Sequence, residues 1–513
     1  MKKTTLLFSL LLGLSAIISG QTYFNERYNL NEVNDLDFCN VVINIEQGYL
    51  LPGAFVSEEN TAYNSLGLLL IDTLGNKLQV KLFGDGIYSY NYSYTQGGFR
   101  QVNNNFYSVG MKRKYTGTWV NDVGIIYKFD NNLDTIWLKN IGDQQLPNDT
   151  NYLFRHFDVL PNKDLIIAGD IIVDGSTARA LLLKTDSMGN ELWRKYFYNG
   201  SKNLGINLIQ TPDGGFALSC YLWTFGLYGI SAPYIVKTDS MGTEQWRHYI
   251  NWFDQKHGPM YLQNSSDSTI VGAYHYSDII NYPATESENR DALIKIDLDG
   301  NVIWDKKFGN YEHNKQLKSM NVNAQGRFII TGYKTNAELS QRVGYMLNCN
   351  NDGDSLWYRE YELLHEDLSN NYLYGVIHTN DGGYLAVGSV VPNPPDTGNQ
   401  DVWVIKVDSM GCVSFDECWT GVKENIAMHK SQELEIYPNP ANEIVNIIIP
   451  KENESEHHIL VVYNMFGSKA EETAVPLGTS TIQMNVTDWK CGLYTVISSY
   501  KGIISGKAKF IVY

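Results

Sequence analysis

Eight aromatic residues in two short stretches are the side chains best suited to holding a ligand: Tyr88, Tyr90, Tyr92 and Tyr94 in one, Tyr221, Trp223, Phe225 and Tyr228 in the other. A tyrosine or tryptophan presents a broad apolar face with a polar tip, which suits contact with sugars and with protein surfaces alike. The same rings can instead fold back and pack locally, and composition leaves both readings open. Catalytic groups are harder to find. The chain has no Gly-rich phosphate cradle, no H-E-x-x-H, no Cys-x-x-Cys and no G-x-S-x-G. Its ten histidines are scattered, and the adjoining His457 and His458 read as surface residues before metal ligands. Residues 297–300 (DLDG) and 350–354 (NNDGD) look superficially like calcium loops. They lack the frame and terminal Glu of an EF-hand, so ordinary turns are the simpler reading, and no metal or cofactor is expected.

Six cysteines are too few for a disulfide-built scaffold. Cys412 and Cys418 form the close pair. In a strand they would stand roughly 20 Å apart, against about 4.4–6.8 Å between the α-carbons of a disulfide, so a bond between them requires a loop. Cys39, Cys220 and Cys349 sit in or beside apolar strand patterns and are expected to be buried free thiols. Nothing in the pattern places Cys491.

The chain of 513 residues has room for two or three domains, and with 13% aromatic and only 19% charged residues it is a folding sequence. A formal net charge of −16 and the lack of a basic stripe argue against nucleic acid as a partner. Lys2 and Lys3, an apolar run over 6–18, and the small residues Ser19 and Gly20 form a secretory signal peptide over 1–20, with cleavage expected before Gln21. The run is shorter than the roughly 20 residues that span a bilayer, and no later run reaches that length, so no transmembrane segment is expected.

What must position the aromatics is a repeat. An apolar strand ends in Asp, a turn usually carries Gly three residues on, and an aromatic follows seven residues after the Asp. The anchors are Asp72, Asp130, Asp186, Asp239, Asp297, Asn350 and Asp408. The aromatics are Trp137, Trp193, Trp246, Trp304, Trp357 and Phe415; in the first copy Gln79 takes that place. A second phrase precedes each anchor, as in DGGFALS near Phe216 and DGGYLAVG near Tyr384. Each copy therefore holds two hairpins, or four short strands. Four strands cannot bury both faces of their sheet alone, so neighbouring copies must stack. Radial closure into a seven-bladed β-propeller over 21–419 satisfies this and protects the edge strands, whereas an open solenoid would need capping elements. Residues 22–30 have the pattern of a fourth strand and are expected to complete the last blade. The repeated tryptophans, fixed at one place in the copies, read as packing between blades. Short hairpin turns fall on one face of such a disc and the longer connections on the other, where binding is expected.

After a polar linker over 420–432, six β-patterned segments fill 433–513 and suit a small C-terminal β-sandwich. Four blocks there carry a family pattern: Tyr437-Pro438-Asn439-Pro440-Ala441, Tyr463-Asn464-Met465-Phe466-Gly467, Gly492-Leu493-Tyr494, and the closing strand 507–512. In this order they resemble the type IX secretion C-terminal sorting domain. The resemblance implies that the signal peptide brings the chain to the periplasm, that the type IX machinery is a partner, and that the tail directs the cargo across the outer membrane to the surface or the medium. The repeats in turn look like the β-propeller cargo often joined to such tails. Taken together, the expectation is an exported, all-β, non-enzymatic protein binding an extracellular glycan or protein. The alternative is an extracellular carbohydrate-active enzyme, a hydrolase or lyase, with its site at the propeller channel; a hydrolase there needs two carboxylates about 5–9.5 Å apart.

Overall fold

The computed structural model describes residues 21–30, 37–57, 60–84, 87–92, 96–114, 122–142, 150–173, 177–198, 202–223, 231–250, 257–278, 288–336, 341–365, 368–393, 400–414, 432–449, 458–464, 469–476, 478–500 and 503–513. Among them the sole helical element is a single turn, Gln96–Gly98; everything else regular is strand. The signal peptide and nearly all of the linker lie outside the described residues. The chain divides into two compact units, Met1–Trp419 and Thr420–Tyr513.

In the first unit each repeat folds as an antiparallel sheet with its strands in chain order. The third is typical: Asn151–Val159, Leu165–Val173, Thr177–Thr185 and Glu191–Phe197. The sheets of the sixth and seventh repeats touch through one parallel bridge, Arg342 to Asn370, and are otherwise separate. Seven sheets thus follow seven copies of the repeat, each a blade. The seventh takes Asn370–His378, Tyr384–Val391 and Asp401–Val407 from its own repeat and its outermost strand, Phe24–Tyr28, from the chain start. That strand runs antiparallel to Asp401–Val407, with Phe24 opposite Lys406 and Tyr28 opposite Val402. It is tied by Arg27 to the buried Asp401 at 2.5 Å and by the Trp403 indole N–H donating to Asn25 Oδ1 at 2.6 Å. On its far side the Tyr28 hydroxyl donates to the Gly75 carbonyl of the first blade at 2.5 Å, and Phe24 and Tyr28 share one core with Cys39, Leu51, Phe55, Val387 and Val404. The ring is closed by its own first strand.

One device joins successive blades. A Cβ added at Gly242 would come within 2.8 Å of the Trp193 ring of the preceding blade; the same holds for Gly353 on Trp304 at 2.8 Å, Gly411 on Trp357 at 2.9 Å and Gly300 on Trp246 at 3.1 Å. Trp246 and Trp357 also donate their indole N–H groups to the Leu298 and Ser409 carbonyls of the turns they cover. The tryptophans are therefore scaffold. Phe24 does the same across the seam, its ring 3.0 Å from a Cβ at Gly75. Where the first blade has Gln79 in place of the aromatic, the second blade has Leu133 in place of the glycine. Leu133 keeps the turn conformation at φ 61 and is buried in one cluster with Leu70, Phe83 and Phe129.

The anchor aspartates hold the outer turns. Asp297 Oδ1 accepts the backbone N–H groups of Asp299 and Asn301 at 3.0 and 2.8 Å, and Oδ2 accepts the Asn301 amide at 2.9 Å. Asp72, Asp186 and Asp239 accept the equivalent pair of backbone N–H groups. These carboxylates are occupied by their own turns, which is why an ion is not needed there. Four blades add an ion pair between the lysine preceding the anchor motif and an aspartate on the inner hairpin turn: Lys184–Asp164, Lys237–Asp213, Lys295–Asp267 and Lys406–Asp381.

The second unit has two sheets. Gln432–Glu433, Ile503–Val512, Gly492–Tyr500, His458–Asn464 and Lys469–Val475 make one, Ile436–Tyr437, Ile444–Ile448 and Thr481–Asn485 the other. Val445, Ile447, Leu460, Val462, Met484, Val496 and Phe510 form a common core between them.

Candidate functional site

The innermost strands of the seven blades line an axial channel, and their irregularities decide what faces it. In four of them the pairing slips by one residue at the same place: between Phe154 and His156, Gly205 and Asn207, Leu317 and Ser319, and Leu373 and Gly375. The extra residues are Arg155, Ile206, Lys318 and Tyr374, each at a bulge, where a strand re-aims a side chain. The second blade departs further. Tyr88–Tyr92 pairs with the far end of Asn105–Lys114 and Phe99–Val102 with its near end, and the helical turn Gln96–Gly98 is inserted directly before Phe99. Its helical turn reaches the axis. Gln96 exchanges hydrogen bonds with the Val42 backbone, a Cβ at Gly97 would strike the His156 ring, and one at Gly375 of the seventh blade would lie 2.6 Å from Gln96 Oε1.

Beyond this insert, toward the short hairpin turns, lies a cavity of about 490 Å³ with lining residues from every blade, among them Asn44, Gln101, Asp158, Asn207, Gln263 and Asn321. Most of the amides there are staples: Asn44 donates to the His378 carbonyl, Asn207 accepts the Leu262 N–H and Gln263 donates to the Met320 carbonyl. Asp158 is the one carboxylate among the described lining residues.

At the opposite end, toward the longer connections, the wall is aromatic and basic. Tyr333, Tyr372 and Tyr374, all half-buried, form a cluster with Tyr333 edge-on to Tyr372 at 4.8 Å and to Tyr374 at 6.3 Å, Tyr372 and Tyr374 stacked at 5.8 Å, and Phe38 edge-on to Tyr374 at 6.4 Å. Two cations lie on these rings: Lys318 Nζ is 5.3 Å from the Tyr333 centroid and the Arg342 guanidinium 5.4 Å from that of Tyr372. Arg342 also donates to the Tyr372 hydroxyl at 2.7 Å and to Asn370 Oδ1 at 3.2 Å. Burial pushes Lys318 down to about 8. His275, one blade back, is pushed down to about 3 by burial, then by Lys318 and His257, and so stays neutral. Burial, with the neighbouring Tyr372 adding to it, raises Tyr333 to about 12. Burial raises the Tyr333 and Tyr374 phenols, and with Lys318 and Arg342 beside them the cluster has polar tips next to two basic groups.

The residues expected from the sequence lie elsewhere. Tyr88, Tyr90 and Tyr92 are on a strand, not in a loop. Tyr90 is 3% exposed and packs 6.4 Å from Tyr127, while Tyr88 is half-buried beneath Lys112 at 4.4 Å. Tyr221 and Trp223 end the strand Phe216–Trp223; the Tyr221 hydroxyl donates to the His257 carbonyl at 3.1 Å, and Trp223 is the exposed one of the pair. Tyr94, Phe225 and Tyr228 lie outside the described residues. Cys412 is buried and disulfide-bonded, while Cys418 lies outside the described residues. Cys39, Cys220 and Cys349 are buried free thiols, and Cys491 is an exposed one.

In the C-terminal unit Asn439 clamps the last strand, donating to the Lys509 carbonyl at 3.1 Å and accepting the Ile511 N–H at 2.9 Å. It stands between Pro438 and Pro440, and the next residue, Ala441, donates its N–H to the Ile511 carbonyl. The block is thus built onto the final strand, with Tyr437 exposed. Tyr494 stacks on Phe510 at 5.7 Å and donates its hydroxyl to the Lys490 carbonyl, two residues before Gly492. Gly467 lies outside the described residues.

Residues 435–513 match the family described as the secretion system C-terminal sorting domain. They are a type IX sorting tail. The chain is accordingly a secreted or cell-surface protein, and no helix among its described residues is long and apolar enough to cross a membrane. No curated protein matches it. Similar solved structures include the β-propeller domain of the Trilobed protease from Pyrococcus furiosus, at 8% identity over 76% of this chain and 100% of that one with a TM-score of 0.41. The polysaccharide lyase Uly1 is 9% identical over 77% and 94%, TM-score 0.40. The α-L-arabinofuranosidase Arb93A of Fusarium graminearum is 10% identical over 63% and 97%, TM-score 0.39.

Proposed function

We propose that the propeller is a glycan-binding module, exported by its tail, that takes its ligand at the long-connection end of the channel. The observation that carries this reading is the half-buried cluster of Tyr333, Tyr372 and Tyr374 where the sixth and seventh blades meet, toward the longer connections. Rings held by packing lose little freedom when a sugar stacks on them, and their hydroxyls can serve its hydroxyls. The hydrolase reading draws less support, because glycoside hydrolysis needs two converging carboxylates and the described lining of the cavity offers only Asp158. Signal-peptide cleavage before Gln21 fits a clasp strand that starts at Phe24, and a bond from Cys412 to Cys418 would fasten the chain just past the last blade. A glycan array probed with the full chain tests the reading. Binding that Tyr372→Ala and Tyr374→Ala abolish, with the far-UV spectrum and a cooperative melt retained, supports it; binding to immobilised extracellular proteins and to no glycan sinks it, and release of shorter products from a bound glycan would make the protein an enzyme.

A further inference from the structure

Lys318 is an anomaly in an acidic protein. The chain carries 56 acidic against 40 basic residues, and its other deeply placed lysines have carboxylates: Lys237 has Asp213, Lys295 has Asp267, Lys315 has Asp291 and Glu312, and Lys406 has Asp381. Lys318 is half-buried at a strand bulge and, among the described residues, has neither an ion pair nor a hydrogen bond; the Tyr333 ring lies 5.3 Å away and the neutral His275 is a further neighbour. Arg342, on the next ring of the same cluster, has a hydroxyl and an amide as partners and, among the described residues, no carboxylate. Removing a cation from water without a counter-charge costs stability. A site that keeps such cations, on aromatic walls at the mouth of a channel, is arranged for an anion that arrives with the ligand.

Building on the glycan reading above, we infer that this end of the channel binds an acidic glycan, with the Lys318 amine and the Arg342 guanidinium taking the carboxylate of a uronic acid residue while its ring stacks on the tyrosine wall. A carboxylate accepts charge-assisted hydrogen bonds from both groups, and the net charge of −16 on the chain would disfavour a polyanion at sites without such cations. The low basicity of the lysine agrees with this geometry, since a bound carboxylate would restore the stabilisation that burial takes away.

Isothermal titration of the full chain with tetragalacturonate, its fully methyl-esterified form and neutral galactotetraose tests the inference. The acid is expected to bind and each uncharged ligand to bind roughly ten- to a hundredfold more weakly. Lys318→Met should bring the acid down to the level of the ester, and Lys318→Arg should retain most of the preference; a cooperative melt no lower than that of the parent for Lys318→Met shows that folding is intact. Equal affinity for acid, ester and neutral sugar, or an unchanged preference in Lys318→Met, overturns the acidic subsite while leaving glycan binding standing. If none of the three binds and the glycan array is also blank, the glycan reading falls and the subsite with it. Binding on the array confined to neutral sugars overturns the subsite alone.

Discussion

Replacing Arg27 by alanine tests the clasp where its energetics are most legible. Arg27 lies on the first strand and reaches Asp401 on the last blade through Nε and Nη2, both 2.5 Å from one carboxylate oxygen. The Asp401 side chain is 5% exposed and that of Arg27 30%. Breaking a buried pair from one side costs about 3–5 kcal/mol; because water can partly reach the vacated place, about 2–3 kcal/mol is the expected loss. The pH dependence separates this from simple truncation. Burial raises the Asp401 carboxyl, against the opposing pull of Arg27. Without the guanidinium it rises further. Between the unfolded value near 3.8 and that raised folded value, the native state binds more protons than the unfolded one, so acid favours the folded variant. Urea unfolding followed by tryptophan fluorescence should therefore show a large penalty at pH 7.5 that shrinks as pH falls through the raised carboxyl value, and Asp401→Asn in the same background should recover most of it. A penalty under about 0.5 kcal/mol, or one that does not change with pH, refutes the reasoning.

Gly242→Val forces a β-branched residue into a φ of +76 with its Cβ 2.8 Å from the Trp193 ring, and should cost about 2–4 kcal/mol in denaturant titration. Leu133→Gly should cost about 2–4 kcal/mol by opening a cavity, and adding Gln79→Trp should recover part of it by importing the pattern of the other blades. Asp267, pulled upward by burial but held at about 2 mainly by its hydrogen bond from Lys295, contributes stability that is complete above pH 4 and lost as pH falls through 2; the penalty of Asp267→Asn should fade over that window. Deleting residues 433–513 should leave the protein in the periplasm on cell fractionation, and its delivery to the surface or medium would contradict the sorting assignment.

The fold was largely legible because its unit is local and repeated. Each Asp-to-Gly turn and each inner hairpin can be read within one copy, and the strand pattern of residues 22–30 pointed to the clasp without any coordinates. What lies between copies was harder to read. The contact of Trp193 with Gly242 spans a whole repeat and has no local trace within either copy. The strand through Tyr88, Tyr90 and Tyr92 has a local signal of its own. Tyr88, Tyr90, Tyr92 and Tyr94 alternate with polar residues at period two, the mark of a strand with one buried face, and Tyr90 is indeed core. The channel residues left almost no local trace, since a one-residue bulge has no sequence signature here. Their signal was comparative: Arg155, Ile206, Lys318 and Tyr374 occupy one structural position in four blades with four unlike side chains, whereas scaffold positions such as the tryptophans repeat.

A crystal structure of the full chain with the tightest oligosaccharide from the array bound is the most direct measurement. The sugar should lie inside a closed seven-bladed ring, at the long-connection end, stacked against Tyr333, Tyr372 and Tyr374 with an acidic group at Lys318. A sugar seated on Trp223 at the rim, or in the cavity beside Asp158, would contradict the account.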